Sequence, residues 1–338
     1  MPTKFLESLG GKLAEKWLST ILTPAFLFWA GGLLSYIYKH GWNSLETWFN
    51  QLSQTVQIIL IISLLLVVLL SAIFVQRCEF SILRFLEGYW PNWLKWLQRL
   101  LIKNQQHRKE KRENILNLTL EKIEYLSQEI AEIEQEINDK RTTLTPEEVT
   151  KKSQKITKLR GQKFNETEKF INLDWQLRYF PSDPMPTKLG NILKAAEQRP
   201  LKQYGLDTII CWPRLWLLLP DSVKLELSQA RMSLNSSAIN WFWSLLFFGW
   251  TFFTLWIIPI ALLSTYLTYR SILNTAIIYG DLLESAFDLY RFELYQSLRF
   301  PLPKSTAEEK QRGEQLTTYL LKRPNIPPIN FRNRDDVN

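Results

Sequence analysis

Residues 232–269 carry no Asp, Glu, Lys or Arg. As one straight helix, these 38 residues would reach about 57 Å, nearly twice a bilayer's hydrocarbon core. Tilt does not absorb a mismatch of that size. The stretch is therefore expected to fold back as two tightly joined helices. Two places suit the turn: Gly249, with Pro259 then kinking the second helix, or Pro259 itself, which would then sit in that helix's first turn.

Two more apolar runs have the length of a span. Residues 56–75, VQIILIISLLLVVLLSAIFV, are uncharged. Residues 17–38, WLSTILTPAFLFWAGGLLSYIY, are uncharged too. They hold Pro24 and Gly31–Gly32, residue types that membrane helices accommodate. A cleaved signal peptide is the competing reading of 17–38, but no A-x-A-like site follows its apolar core. Many of the 14 tryptophans sit near apolar runs, as side chains do at membrane–water interfaces. The expected fold is an all-α integral membrane protein, with four transmembrane helices in two hairpins and a cytosolic helical, coiled-coil domain.

Basic residues set the orientation. The connector 39–55 holds only Lys39 and Glu46, whereas 77–112 holds nine Lys and Arg against Glu79, Glu87 and Glu110. Positive charge stays inside. This places both termini in the cytoplasm and the short connector outside.

The expected organisation has seven parts. Residues 1–76 form the first hairpin, 77–112 basic interfacial helices, 113–178 a coiled-coil hairpin and 179–234 a cytosolic helical segment. Residues 235–280 form the second hairpin, 281–321 C-terminal helices and 322–338 a disordered tail. Residues 4–18 resemble a weaker amphipathic helix.

Within 90–103, Lys95, Arg99 and Lys103 share one stripe beside Trp93, Trp96 and the leucines 97, 100 and 101. Such a helix lies in the membrane surface and meets anionic headgroups; a core-facing helix with snorkelling cations is the plainer reading. From 113 the apolar period becomes seven. Leu116, Ile123, Ile130, Ile137 and Leu144 recur, with Leu126 and Ile133 at the partner position. The intervening residues are acidic. Thr145, Pro146 and Glu148 then have the pattern of a helix start, followed by a lysine-rich helix over about 147–178. An acidic helix before a basic one suggests an antiparallel pair, within the chain or between chains. On 281–291, Asp281, Glu284, Asp288 and Arg291 share a helical face, either lining a partner site or packed on the domain. Ser305 and Glu308 have capping-box spacing for a helix over about 306–321.

Cys78 and Cys211 are too few for a disulfide framework, His40 and His107 too few for a His-based metal site, and no nucleotide-loop or hydrolase motif occurs. No enzymatic activity, cofactor or metal is expected, and nucleic acid is not an expected partner.

Three strings together, LGNILKAAE (189–197), YGLD…WPRLWLLLP (204–220) and YGDLLESAFDLYRFELYQSLRFPLP (279–303), resemble a family of uncharacterised bacterial multi-pass membrane proteins. The resemblance covers roughly 180–305. It implies a bacterial inner-membrane protein with a close hairpin between WPRLW and YGDL. It implies no activity and assigns no functional residue.

The expected function is a membrane-anchored interaction or signalling scaffold, oligomeric, with the coiled coil taking a second copy or a cytosolic protein. The alternative is an oligomeric channel or membrane-permeabilising effector, suggested by Asn240 and the hydroxyls at 244, 251, 254, 264, 265 and 268.

Overall fold

A helix that is apolar on every side has no face to turn to water, and the chain contains one such helix among the described residues. In the computed structural model, which describes residues 23–140 and 145–321, α3 (Gln54–Arg77) is long and apolar enough to cross a membrane. Among the described residues it is the single helix that meets this test. Only Val68, Ala72 and Val75 of it are buried. Residues 4–18, the start of the expected first span, Leu144 and 322–338 lie outside the described residues.

All regular structure among the described residues is helical. The chain divides into two compact units, Met1–Trp90 with Arg199–Asn338, and Pro91–Gln198.

In the first unit, α1 (23–40) packs beside α3, where Trp29 Nε1 donates to Ser71 Oγ at 3.1 Å. The short α2 (Trp42–Asn50) connects them and exposes Trp42 and Trp48. The next helix, α4 (Glu79–Glu87), ends at Gly88 in the left-handed region, φ 105°, where glycine pays no Cβ penalty.

The charge-free stretch reverses. One arm is α9 (Asp221–Leu246), the turn is a 3₁₀ segment (Phe247–Phe252) containing Gly249, and the other arm is α10 (Ile257–Ser297). Pro259 therefore sits in the first turn of α10, where its missing N–H has no bond to lose. Hydroxyls join the arms: Ser264 Oγ donates to Ser244 Oγ at 2.7 Å, and Ser237 and Ser271 meet at 3.4 Å. Both arms continue past the apolar stretch without a break. The amphipathic residues 221–234 and the polar face at 281–291 extend them as single helices.

The lower part of α10 carries a packed core. Phe287, Leu294 and Tyr295 meet Cys211 and Leu215 of α8 (Thr208–Leu218) and Leu316 of α11 (Thr306–Leu320). Each entering helix is capped. Asp207 accepts from the N–H groups of Ile209 and Ile210. Ser305 accepts from Glu308 N, while Glu308 reaches back to the N–H of Lys304.

The second unit is built on α5 (Lys95–Asp139) and α6 (Pro146–Arg178). A 3₁₀ turn, Asn92–Leu94, follows Pro91 and leads into α5. The basic stripe and the seven-residue repeat thus lie on one continuous 45-residue helix. No Gly or Pro interrupts 95–139, and the charged run 103–113 is built from good helix formers. Thr145 completes a reciprocal capping box with Glu148, and Pro146 opens α6. After α6, Lys109 Nζ holds the linker through Pro181 O (3.1 Å) and Ser182 O (3.3 Å), and α7 (Lys188–Tyr204) begins.

Candidate interaction site

The α5–α6 pair is antiparallel and closes within the chain. Leu126, Ile130, Ile156 and Leu159 form its buried seam, with Ile133 and Ile137 packed against them. Leu116 and Ile123 of the same repeat are half-buried. The flanks are charge-paired: Glu166 with Lys122 at 2.7 Å, Glu129 with Lys155 at 2.8 Å, Glu134 with Arg160 at 2.7 Å, and Glu136 with Lys152. Hydrogen bonds from Lys122 and then Lys169 hold the Glu166 carboxyl below its usual range, and Lys152 does the same for Glu136. Exposed pairs of this kind contribute little each, so the apolar seam is the main source of cohesion.

A second apolar stripe on α6 is largely exposed among the described residues, with the Arg178 guanidinium lying 5.0 Å from the Trp175 ring centroid. Phe164, Ile171 and Trp175 follow one another at seven and four residues, on the side away from the seam, and are 63%, 48% and 51% exposed. Their spacing is that of a helix–helix seam. A seven-residue period followed on one face only does not reveal this stripe.

Lys95, Arg99 and Lys103 are exposed on α5, and Trp93 and Trp96 are exposed beside them. Leu100 is exposed as well. The stripe and its aromatic neighbours form one open amphipathic surface.

The four residues of the α10 polar face are engaged by side chains from distant parts of the same unit. Arg199 Nη1 pairs with Glu284 and lies 3.6 Å from Asp281. Tyr204 Oη donates to Asp288 Oδ1 at 2.6 Å. Arg291 Nε donates to Glu309 Oε1 at 2.6 Å, and its Nη1 to the backbone O of Asp288. Burial, followed by the bond to Asp288, pushes the Tyr204 phenol up to about 12. Arg199, Tyr204 and Glu309 carry no local mark of this role, since the residues they meet are 85, 84 and 18 positions away.

A cavity of about 490 Å³ opens between α1, α9 and α10. Thr23, Asn240, Ser244, Ser264 and Thr268 supply its polar lining, and Trp243 and Phe247 part of the apolar wall. Among the described residues no group of three His, Cys, Asp or Glu is placed to hold a metal ion.

The chain matches no family model, no curated protein and no solved structure.

Proposed function

We propose that this chain is a membrane-anchored scaffold of the bacterial inner membrane, in which the α5–α6 hairpin is the protein-interaction element and a second copy is its first partner. The observation that carries this reading is the exposed Phe164–Ile171–Trp175 stripe, on a hairpin whose own seam is already filled in cis. Aromatic side chains left in water at helix-pairing spacing favour association through that face. The exposed all-apolar α3 supports anchoring in lipid. The hairpin of α9 and α10 supports two further crossings, and α1 a fourth. The basic excess after α3 supports both termini in the cytoplasm, and the exposed Lys95, Arg99, Lys103, Trp93 and Trp96 support contact with anionic headgroups. Membership of the multi-pass bacterial family that the three strings resemble belongs to the same proposal.

The test is the mass of the full-length protein in detergent by light scattering, for the parent and for the variant Phe164→Ser/Ile171→Ser/Trp175→Ser. A multimer that falls to a smaller mass in the variant supports the scaffold. A parent that is monomeric, or a multimer unchanged by the variant and by deletion of 113–178, sinks it.

The cavity between α1, α9 and α10 favours a second reading, an oligomeric channel or permeabilising effector. Its hydroxyl and amide lining is unusual in so apolar a setting. Dye and ion leakage from anionic vesicles carrying the full-length protein would support it, and tight vesicles would leave the scaffold in front.

A further inference from the structure

The second unit contains a groove of about 600 Å³, bounded by α5, the end of α6 and the first turn of α7. Its lining includes Arg108, Lys111, Arg112 and Lys188, and no carboxylate. Arg108, Lys111 and Lys188 form no ion pair with any described residue, whereas the flanks of the α5–α6 seam are charge-paired. Four like charges around one concavity repel one another, and the arrangement is relieved when an anion enters. The rest of the lining includes apolar Ile115, Leu173, Ile192 and the ring of Phe180, over which the Arg112 guanidinium stacks at 5.2 Å.

The walls are held in place before any ligand arrives. Buried Asn191 donates to buried Gln105 Oε1 at 3.4 Å, and its Oδ1 accepts from Met185 N at 2.6 Å. These bonds tie the start of α7 to α5 and to the linker. The N-terminal end of α7 adds the positive end of its dipole to the same side.

We infer that this groove binds a phosphate-bearing ligand with an apolar or aromatic part, the phosphate among Arg108, Lys111 and Lys188 and the remainder against Ile115, Leu173 and Phe180. The volume suits one small ligand or one lipid headgroup with the start of its chains. Phosphate chemistry fits because guanidinium and ammonium groups share the lining of one groove, with no carboxylate among them. Two sources carry that chemistry, an anionic phospholipid and a soluble nucleotide. The groove stands on residues of one unit and does not depend on whether the hairpin self-associates.

The experiment uses the full-length protein in neutral, uncharged detergent. One arm titrates short-chain dioctanoyl phosphatidylglycerol below its micelle concentration, and the other titrates ADP, each followed by calorimetry. Three proteins are compared: the parent, Arg108→Gln/Lys188→Gln, and the charge-matched control Lys151→Gln/Lys158→Gln. Lys151 and Lys158 are exposed on α6, outside the groove. Circular dichroism confirms that all three keep their helix content. The expected result is saturable binding of at least one probe, weakened tenfold or more by the groove variant and less than twofold by the control. Saturation by the phospholipid alone assigns a lipid site, and saturation by ADP alone a nucleotide site. Failure of both probes to saturate overturns the inference, and so does equal weakening by the control, which would mean diffuse surface charge.

Discussion

Gly205 and Gly313 bring two stretches of backbone into contact. A Cβ on Gly313 would run into the carbonyl oxygen of Tyr204 and stand 3.0 Å from the carbonyl carbon of Gly205. Gly205 is itself in the left-handed region, φ 70°, and its carbonyl accepts from Thr317 Oγ1 at 3.0 Å. The approach lets α11 close over the core that Leu316 completes. Gly313→Ala forces a backbone apart, so it is expected to destabilise by about 2 kcal/mol or more. A thermal melt of the detergent-solubilised protein, followed by circular dichroism, checks it. An unchanged melt would show that α11 does not dock there.

Arg199 and Glu284 form a second junction in the same unit. Their side chains are only 12% and 10% exposed, so removing one partner leaves a charge in poor solvent. Arg199→Met and Glu284→Leu alone are each expected to cost about 3–5 kcal/mol, and the double variant much less than their sum. Denaturant melts of the four proteins give the coupling. Strict additivity would mean that the pair is solvated and of little consequence.

The α5–α6 hairpin has a pH window set by its flanking pairs. The carboxyls of Glu166 and Glu136 are held below 4.5 when folded, so their contribution is full above about pH 4.5 and is lost as pH falls through the lower folded values. Lys155 is raised above 10.5, chiefly by its bond to Glu129, so its contribution is full below about pH 10.5 and is lost as pH rises through the higher folded value. Amide exchange over 113–178 in the full-length protein is expected to quicken beyond either limit. Glu166→Gln should raise exchange at pH 7 and reduce its rise in acid. A variant with the parent's acid response would remove Glu166 from the account.

Much of the helical class was open to view in the sequence because its signals are local. An uncharged apolar run such as 56–75 has few other forms to take, and Thr145–Glu148 and Ser305–Glu308 mark helix starts through groups three residues apart. The candidate sites were less legible because they depend on distant pairs. Asp281, Glu284, Asp288 and Arg291 define a face by spacing, yet nothing local tells that Arg199, Tyr204 and Glu309 cover it. The cations of 108–112 were visible as a run, but the groove exists only because Lys188 and Asn191 of α7 fold against them.

Cys211 illustrates how packing alters a side chain's chemistry. Burial, the largest influence, pushes its thiol up to about 11, with Sγ 3.9 Å from Thr317 Oγ1. At pH 8 only about a thousandth of the thiol is ionised, and thiolate is the reactive form. In the folded Cys78→Ser protein, a thiol reagent is expected to label Cys211 only on the timescale of unfolding, and denaturant to make labelling fast. Rapid labelling without denaturant would show that the α8–α10–α11 core opens readily.

The Gly31–Gly32 pair turns a helix surface into a seat for aromatic rings. A Cβ on Gly31 would lie 2.6 Å from Phe247 Cζ, and one on Gly32 would overlap the indole of Trp250. Those rings belong to the turn between α9 and α10, so the notch is where α1 meets the second hairpin. Trp250 is further fixed by its Nε1, which donates to Phe28 O at 3.1 Å, and by the rings of Phe28 and Trp29 at 5.0 and 5.8 Å. Gly32→Val is therefore expected to expel the indole, break the bond to Phe28 and destabilise the protein by about 1–3 kcal/mol. Removing the obstructing ring distinguishes overcrowding from a backbone effect. Gly32→Val/Trp250→Ala should be no less stable than Trp250→Ala alone, because the added methyls then enter the space the indole vacated. Melts of the parent, the two single variants and the double variant in one detergent measure this. A double variant that adds the two losses would place the cost in the α1 backbone instead of in the seat for Trp250.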